Sequence, residues 1–134
     1  MQRAIFATIG GVVIAVVIVF IAEAIGHMIF PPPEGVDLKD PEQLKSIMSE
    51  IPLGAKIAVL VAWGLGTFGG GVAGVLMSGR KAWPAGIVAL VMLAGAGATL
   101  FAIPHPMWMI VATLVITGLG WLLATRFAAE TQNL

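Results

Sequence analysis

The 134-residue chain is 59% hydrophobic and only 10% charged, with seven basic and seven acidic residues. About a quarter of the residues in a soluble domain are charged, so most of this chain's surface must contact lipid rather than water. The sequence contains no cysteine, which excludes disulfides, thiol nucleophiles and thiolate metal sites. It also offers no basic surface for nucleic acid.

Four apolar segments are long enough to cross the roughly 30 Å core of a bilayer, which takes about 20 helical residues. They cover residues 4–30, 53–77, 83–103 and 107–127. The sequence therefore predicts an all-α membrane protein, a four-transmembrane-helix bundle in a single domain over residues 1–134. Ala22–Ala24 resembles a signal-peptide cleavage site, but the apolar run before it is longer than usual. We therefore expect an uncleaved helix.

Basic residues predict the orientation of the four spans. With four crossings, Arg3, the Arg80–Lys81 pair and Arg126 all fall on one side of the membrane, which should be cytoplasmic. The loop at residues 31–52, in which acidic residues outnumber basic ones, falls on the other side. We therefore expect both termini in the cytoplasm and this loop outside.

The outer loop contains a helix-start signal in "DPEQ", with Asp40 as the N-cap and Pro41 at the first helical position. Apolar residues then follow at helical spacing: Leu44, Ile47, Met48 and Ile51. We expect an amphipathic outer-loop helix at about residues 41–51, lying at the membrane boundary or covering the bundle. Its simplest role is that of a connector, and the functional alternatives are a lid or a docking face.

Small residues recur at every fourth position of the second span: Gly66, Gly70, Gly74 and Ser78. Such a ridge lets another helix backbone approach closely in lipid, where no hydrophobic effect drives helices together. Packing within one bundle explains the ridge, and a seam between two copies, of the glycine-zipper kind, explains it equally well.

One carboxylate, that of Glu23, lies inside a predicted span, where an ionisable group costs about 2.5–3.5 kcal/mol or more at mid-bilayer and usually has a function. His27 lies on the same helix face, and His105 follows the third span on the same side of the membrane. In one interpretation Glu23 simply bonds to His27 or Lys56. In a second these residues handle protons or a substrate, with Trp63 as a further candidate. In a third, Glu23, His27 and His105 bind a divalent metal such as zinc.

Two resemblances bear on function. The stretch "GHMIFPPPEGVDLKDPEQLKSIMSEIPLGAKIAVLVAWGLGTFGGGVAG", together with "FAIPHPMW", resembles a group of small bacterial four-span proteins described only as hypothetical. That resemblance implies an inner-membrane location. The stretch "VFIAEAIGHMI" is similar to the first helix of small multidrug resistance transporters, with Glu23 at the position of their proton- and drug-binding glutamate. This second resemblance covers about a dozen residues and implies proton-coupled transport.

Taken together, the residues favour a non-catalytic inner-membrane protein with an accessory or structural role. Such a protein would assemble through its glycine-rich seams or its outer loop, as a homo-oligomer or within a larger membrane complex. A small proton-coupled transporter that uses Glu23 and an outer-side metal site are the two alternatives. We expect no cofactor other than the divalent metal of the last alternative.

Overall fold

The structure is a computed structural model that describes residues 1–37 and 39–131. Of these residues, 81% are helical. Within these ranges it has no strand and five helices: α1 (Gln2–Ile29), α2 (Pro41–Ile47), α3 (Leu53–Met77), α4 (Trp83–Ala102) and α5 (Met107–Glu130). All but α2 are long and apolar enough to span a membrane, which confirms the predicted fold class. The predicted domain bounds also take in residues 38 and 132–134, which lie outside the described residues.

Helix α3 is the centre of the bundle and packs against α1, α4 and α5. In its most apolar window 56% of the residues are buried, against 22% to 28% in the other three long helices. The long helices other than α3 therefore leave most of their residues unburied at the outside of the bundle. The bundle depends on the small side chains that let three helices reach α3 at once.

The predicted glycine ridge faces α1 within the same chain. A Cβ atom on Gly66 would lie 2.9 Å from the carbonyl oxygen of Ala15, and one on Gly70 would overlap the carbonyl oxygen of Gly11. Gly74 continues the ridge, where a Cβ would come within 3.7 Å of the carbonyl oxygen of Ala7. Buried small residues therefore meet from both sides of the α1–α3 interface.

Helix α5 approaches the other side of α3 in the same way. A Cβ atom on Gly120 would lie 2.9 Å from the carbonyl oxygen of Gly64, and one on Gly71 would lie 2.8 Å from the Cβ of Ala124. Glycines on two sides of α3 thus replace the bulky side chains that would hold the neighbouring helices apart.

Ser78, the last member of the predicted ridge, has a different role because α3 ends at Met77. Its buried hydroxyl donates to the carbonyl oxygen of Val75 (2.8 Å) and accepts from the backbone N–H of Lys81 (3.1 Å). Gly79 adopts a left-handed φ of 76°, and the N–H of Arg80 returns to the Val75 carbonyl oxygen at 2.8 Å. This is a Schellman-type helix end, so Ser78 shapes the α3–α4 turn.

Two arginines bind helix C-termini at this end of the bundle. The Nε of Arg3 donates to the carbonyl oxygen of Met77 in the last turn of α3, at 2.9 Å. The Nη1 of Arg80 donates to the carbonyl oxygen of Ala128 near the end of α5, also at 2.9 Å. Each guanidinium meets carbonyl groups that lack intrahelical partners, together with the negative end of a helix dipole. This end is therefore basic, and α1, α3 and α5 are linked there by hydrogen bonds.

The α1–α3 contact is tested by comparing two glycine-to-alanine changes. Gly70→Ala should lower the free energy of unfolding by about 1–3 kcal/mol, because the new methyl group overlaps the α1 backbone. Gly95→Ala is the matched control, since a Cβ there meets no atom within 4 Å and alanine favours the helix by about 1 kcal/mol. Reversible unfolding in mixed detergent micelles measures both. Equal stability of the two variants would contradict the close contact.

Candidate functional site

A cavity of about 160 Å³ lies at the end of the bundle opposite the arginine caps. It is bounded by the last turns of α1, by α2, by the first turns of α3 and by the turn between α4 and α5. An engineered protein cavity of about 150 Å³ accommodates benzene, so this cavity has room for a small organic molecule. Its lining is mostly apolar, with four polar side chains: Glu23, His27, Lys56 and His105.

Helix α2 supplies one apolar wall of the cavity. The carboxylate of Asp40 caps the helix by accepting from the N–H of Glu42 at 3.0 Å, as the sequence indicates. The helix ends at Ile47, earlier than the predicted residue 51, and residues 48–50 form a turn. Pro52 disfavours helical geometry at Ile51, the residue before it, so the helix does not continue into α3. The predicted apolar stripe nevertheless lines the cavity in full: Leu44, Ile47, Met48 and Ile51.

The segment that leaves α1 supplies a second apolar wall. Pro31, Pro32 and Pro33 follow the helix without continuing it, because proline lacks the backbone N–H that a helix interior needs. The ring of Phe30 lies over Gly54, where a Cβ atom would come within 2.6 Å of the ring carbon Cε1. The absence of a side chain at Gly54 therefore lets Phe30 pack against the start of α3.

Glu23 is half-buried at the cavity wall and has no hydrogen bond or ion pair with any residue in the described part of the chain. The simplest sequence interpretation paired it with His27 or Lys56, and neither pair is formed here. All three side chains line the same cavity. Although Glu23 is half-buried, its carboxylate oxygens are not fully enclosed by the protein. Its acceptor oxygens are therefore available to a molecule in the cavity.

His105 presents a second acceptor. Its Nδ1 lies 2.6 Å from the carbonyl oxygen of Ile103. Because a carbonyl oxygen only accepts, Nδ1 must carry the hydrogen, and Nε2 of the neutral ring is then the acceptor. Pro104 and Pro106 restrict the backbone on either side of His105, and the contact with Ile103 orients the ring. The cavity thus contains an imidazole of defined tautomer as well as the Glu23 carboxylate.

Glu23, His27 and His105, the proposed metal ligands, all line this cavity. Nevertheless, within residues 1–37 and 39–131 no three His, Cys, Asp or Glu side chains are grouped closely enough to hold a metal ion. The arrangement suits hydrogen bonds from separate walls to an organic molecule better than shared coordination of one ion. A metal at this position stays an untested alternative.

Trp63, the remaining candidate for substrate contact, lies in the core. It is 6% exposed and packs in a cluster with Leu60, Ala96 and Met109. Met109 belongs to both the cluster and the cavity lining, so the cluster forms the inner side of the cavity. Trp63 therefore supports the cavity without lining it.

Several residues that line the cavity were not predicted from the sequence. Phe30, Pro31–Pro33 and Met109 were not predicted at the site, and Lys56 was considered only as a partner for Glu23. Lys56 carried a usable signal, because it is the one lysine within a predicted span and lies in the first turn of α3. The others look like ordinary apolar residues, and only the way the helices pack brings them to the cavity.

Comparisons with protein-family models, with characterised proteins and with solved structures found no match to this chain.

The tautomer of His105 can be tested by ¹⁵N NMR of the imidazole rings in detergent micelles. At a pH where the ring is neutral, the Nδ1–H form of His105 should dominate, because the Ile103 carbonyl accepts that hydrogen. His27 is an internal reference, since its ring has no hydrogen bond within the described residues. A dominant Nε2–H form at His105 would contradict the assignment.

Proposed function

We propose that this protein is a non-catalytic, multi-pass protein of the bacterial inner membrane that binds a small, largely apolar molecule in the cavity at its loop end. One observation carries the proposal. Both histidines, the carboxylate of Glu23 and the whole apolar stripe of the outer loop line a single cavity. Ligand sites in proteins typically combine apolar walls with a few convergent polar groups in this way.

The polar groups of the cavity indicate what the ligand carries. Glu23 is an unpartnered acceptor, and the free Nε2 of His105 is a second acceptor. A ligand whose polar end donates hydrogen bonds satisfies both groups, and a positive charge adds attraction to the carboxylate. Lys56 is only half-buried and extends from the first turn of α3, so its ammonium group can reach water at the membrane boundary. A primary alkylammonium ion of about six carbons fits this chemistry and the cavity volume.

An accessory role through the α3 glycine ridge has less support. Gly66, Gly70 and Gly74 are buried against α1, so a partner helix would have to displace α1 to reach them. Docking through the outer loop remains compatible with the cavity, because a partner would contact the exposed side of α2 while the apolar stripe faces inward.

Proton-coupled transport, the other alternative, requires Glu23 to be reached from both sides of the membrane. In this structure the cluster around Trp63 and Met109 lies on the inner side of the cavity. We therefore propose binding and not transport. The unpartnered Glu23 carboxylate would also serve a transport cycle if the inner side opened.

The proposed orientation places the arginine-capped end in the cytoplasm, because basic residues are retained on that side. Since the chain has no cysteine, a single introduced one reports its own exposure. Ser49→Cys in the outer loop should react with a membrane-impermeant maleimide in intact spheroplasts. Ala82→Cys in the α3–α4 turn should react only after lysis. Labelling in the reverse order would contradict the orientation.

The binding proposal is tested with three ligands that share a six-carbon chain: hexylammonium, hexanol and hexanoate. In lipid nanodiscs, hexylammonium should raise the melting temperature most, because it alone is both a donor and a cation. Hexanoate should raise it least, because Glu23 repels a second carboxylate. A ligand at ten times its dissociation constant stabilises the folded protein by about 1.4 kcal/mol, which is measurable as a shift in melting temperature.

Glu23→Gln should abolish the preference for hexylammonium over hexanol while leaving some binding of the apolar chain. The matched control is Glu50→Gln, which makes the same change at an exposed carboxylate that does not line the cavity. The same ligand preference in the Glu23→Gln and wild-type proteins would overturn the assignment of the site. An equal loss in Glu50→Gln would show that the effect is a general response to surface charge.

A further inference from the structure

The cavity at the loop end contains two opposite charges that do not pair with each other. Glu23 lines it from α1, and Lys56 lines it from the first turn of α3. Neither side chain forms an ion pair within the described residues, and neither has its polar atoms fully enclosed by the protein. The cavity therefore offers a ligand one anionic group and one cationic group from separate walls.

Lys56 differs from the other lysines of the chain in its burial. Lys39, Lys45 and Lys81 are exposed, and Lys45 also pairs with Glu42 at 3.3 Å. Lys56 is half-buried, and its side chain forms part of the cavity wall. A lysine in such a position packs its stem against apolar neighbours and keeps its ammonium group at the boundary with water. The ammonium group can therefore meet a ligand at the edge of the cavity.

The start of α3 adds positive potential on the same side. Pro52, Ala55 and Lys56 line the cavity, yet this helix start has no side-chain cap and no acidic residue in its first turn. Helix α2, by contrast, has Asp40 as its cap and Glu42 in its first turn. The N-terminus of a helix attracts negative charge. This wall of the cavity therefore favours an anionic group for two reasons that act together.

A ligand with only a positive charge satisfies half of this arrangement. With both histidines counted as neutral, Glu23 and Lys56 give the cavity lining a formal charge of zero. An alkylammonium ion makes the occupied cavity positive and is repelled by Lys56, which must turn to water. A zwitterion leaves the occupied cavity neutral and gives each of the two side chains an opposite charge.

We infer that the ligand is a zwitterionic amphiphile, with an ammonium group that meets Glu23 and a carboxylate or phosphate that meets Lys56. This inference rests on the proposed binding function and specifies the ligand further. The apolar part of the ligand lies along the stripe of the outer loop, towards the buried Met109. An apolar α-amino acid and the headgroup region of phosphatidylethanolamine both carry this pair of charges.

The test compares hexylammonium with 2-aminoheptanoate, which is the same molecule with a carboxylate added on the carbon that carries the nitrogen. Calorimetric titration in phosphatidylcholine nanodiscs measures both dissociation constants. The wild type should bind 2-aminoheptanoate on the order of tenfold more tightly, because Lys56 donates a charge-assisted hydrogen bond to the added carboxylate. Binding of hexylammonium with equal or weaker binding of 2-aminoheptanoate would overturn the inference alone. Binding of neither molecule would overturn the proposed function as well.

Lys56→Met removes the ammonium group and keeps most of the apolar stem. This variant should bind 2-aminoheptanoate about tenfold more weakly and hexylammonium at least as tightly as the wild type, because a like charge has been removed. Unfolding could not produce two opposite changes. Lys39→Met is the matched control, because it makes the same change at an exposed lysine that does not line the cavity. A wild-type preference retained in Lys56→Met would overturn the role of Lys56.

A second set of nanodiscs distinguishes the two sources of such a ligand. Phosphatidylethanolamine replaces part of the phosphatidylcholine, whose quaternary ammonium group donates no hydrogen bond. Weaker binding of 2-aminoheptanoate in these nanodiscs would identify a lipid headgroup as the competing ligand. Unchanged binding would identify a molecule that enters from water. Both results agree with a zwitterionic ligand and assign its source.

Discussion

The close approach of α1 to α3 at Gly66 and Gly70 is the contact on which the cavity depends. In lipid the helices gain nothing from the hydrophobic effect, so their relative position depends on backbone-to-backbone van der Waals contact. Because the Gly11 and Ala15 carbonyl groups fit against these glycines, α1 has one register along α3. That register brings Gly26 against Ala58, where a Cβ would lie 3.4 Å from the Ala58 methyl group. Glu23 and His27, on the same turns of α1, reach the cavity as a result.

The two ends of the bundle are built differently, and the difference suits a site at only one of them. At the basic end Arg3 and Arg80 donate to the C-terminal carbonyl groups of α3 and α5, which ties three helices together. At the loop end the connections consist of prolines, a seven-residue helix and a short turn. Pro52 and Pro106 precede α3 and α5 there, in extended conformations that lead directly into the helices. Among the described residues of the loop end, side-chain packing around a cavity takes the place of hydrogen bonds between helices.

The sequence predicts the spans well because their length and apolar composition follow from bilayer thickness alone. The stripe from Leu44 to Ile51 was also predictable, since helical spacing specifies a face even where the helix itself stops at Ile47. Helical spacing did not predict the role of Ser78. This residue has the spacing of the glycine ridge but lies beyond the end of α3. Helical spacing also does not show which neighbouring helix, if any, covers a glycine. Gly70 and Gly97 look alike in the sequence, yet one is covered by α1 and the other faces open space. That distinction depends on the packing of the whole bundle.

Glycine therefore has two roles in this chain, and the division between them follows from the position of α3. The glycines of α3 contact α1 and α5, so the close-packing surface of this central helix is covered within one chain. Helix α4 is far less buried, and Gly86 and Gly97 have no such partner. The turn that carries His105 joins α4 to α5, so the cavity borders the helix whose glycines stay uncovered.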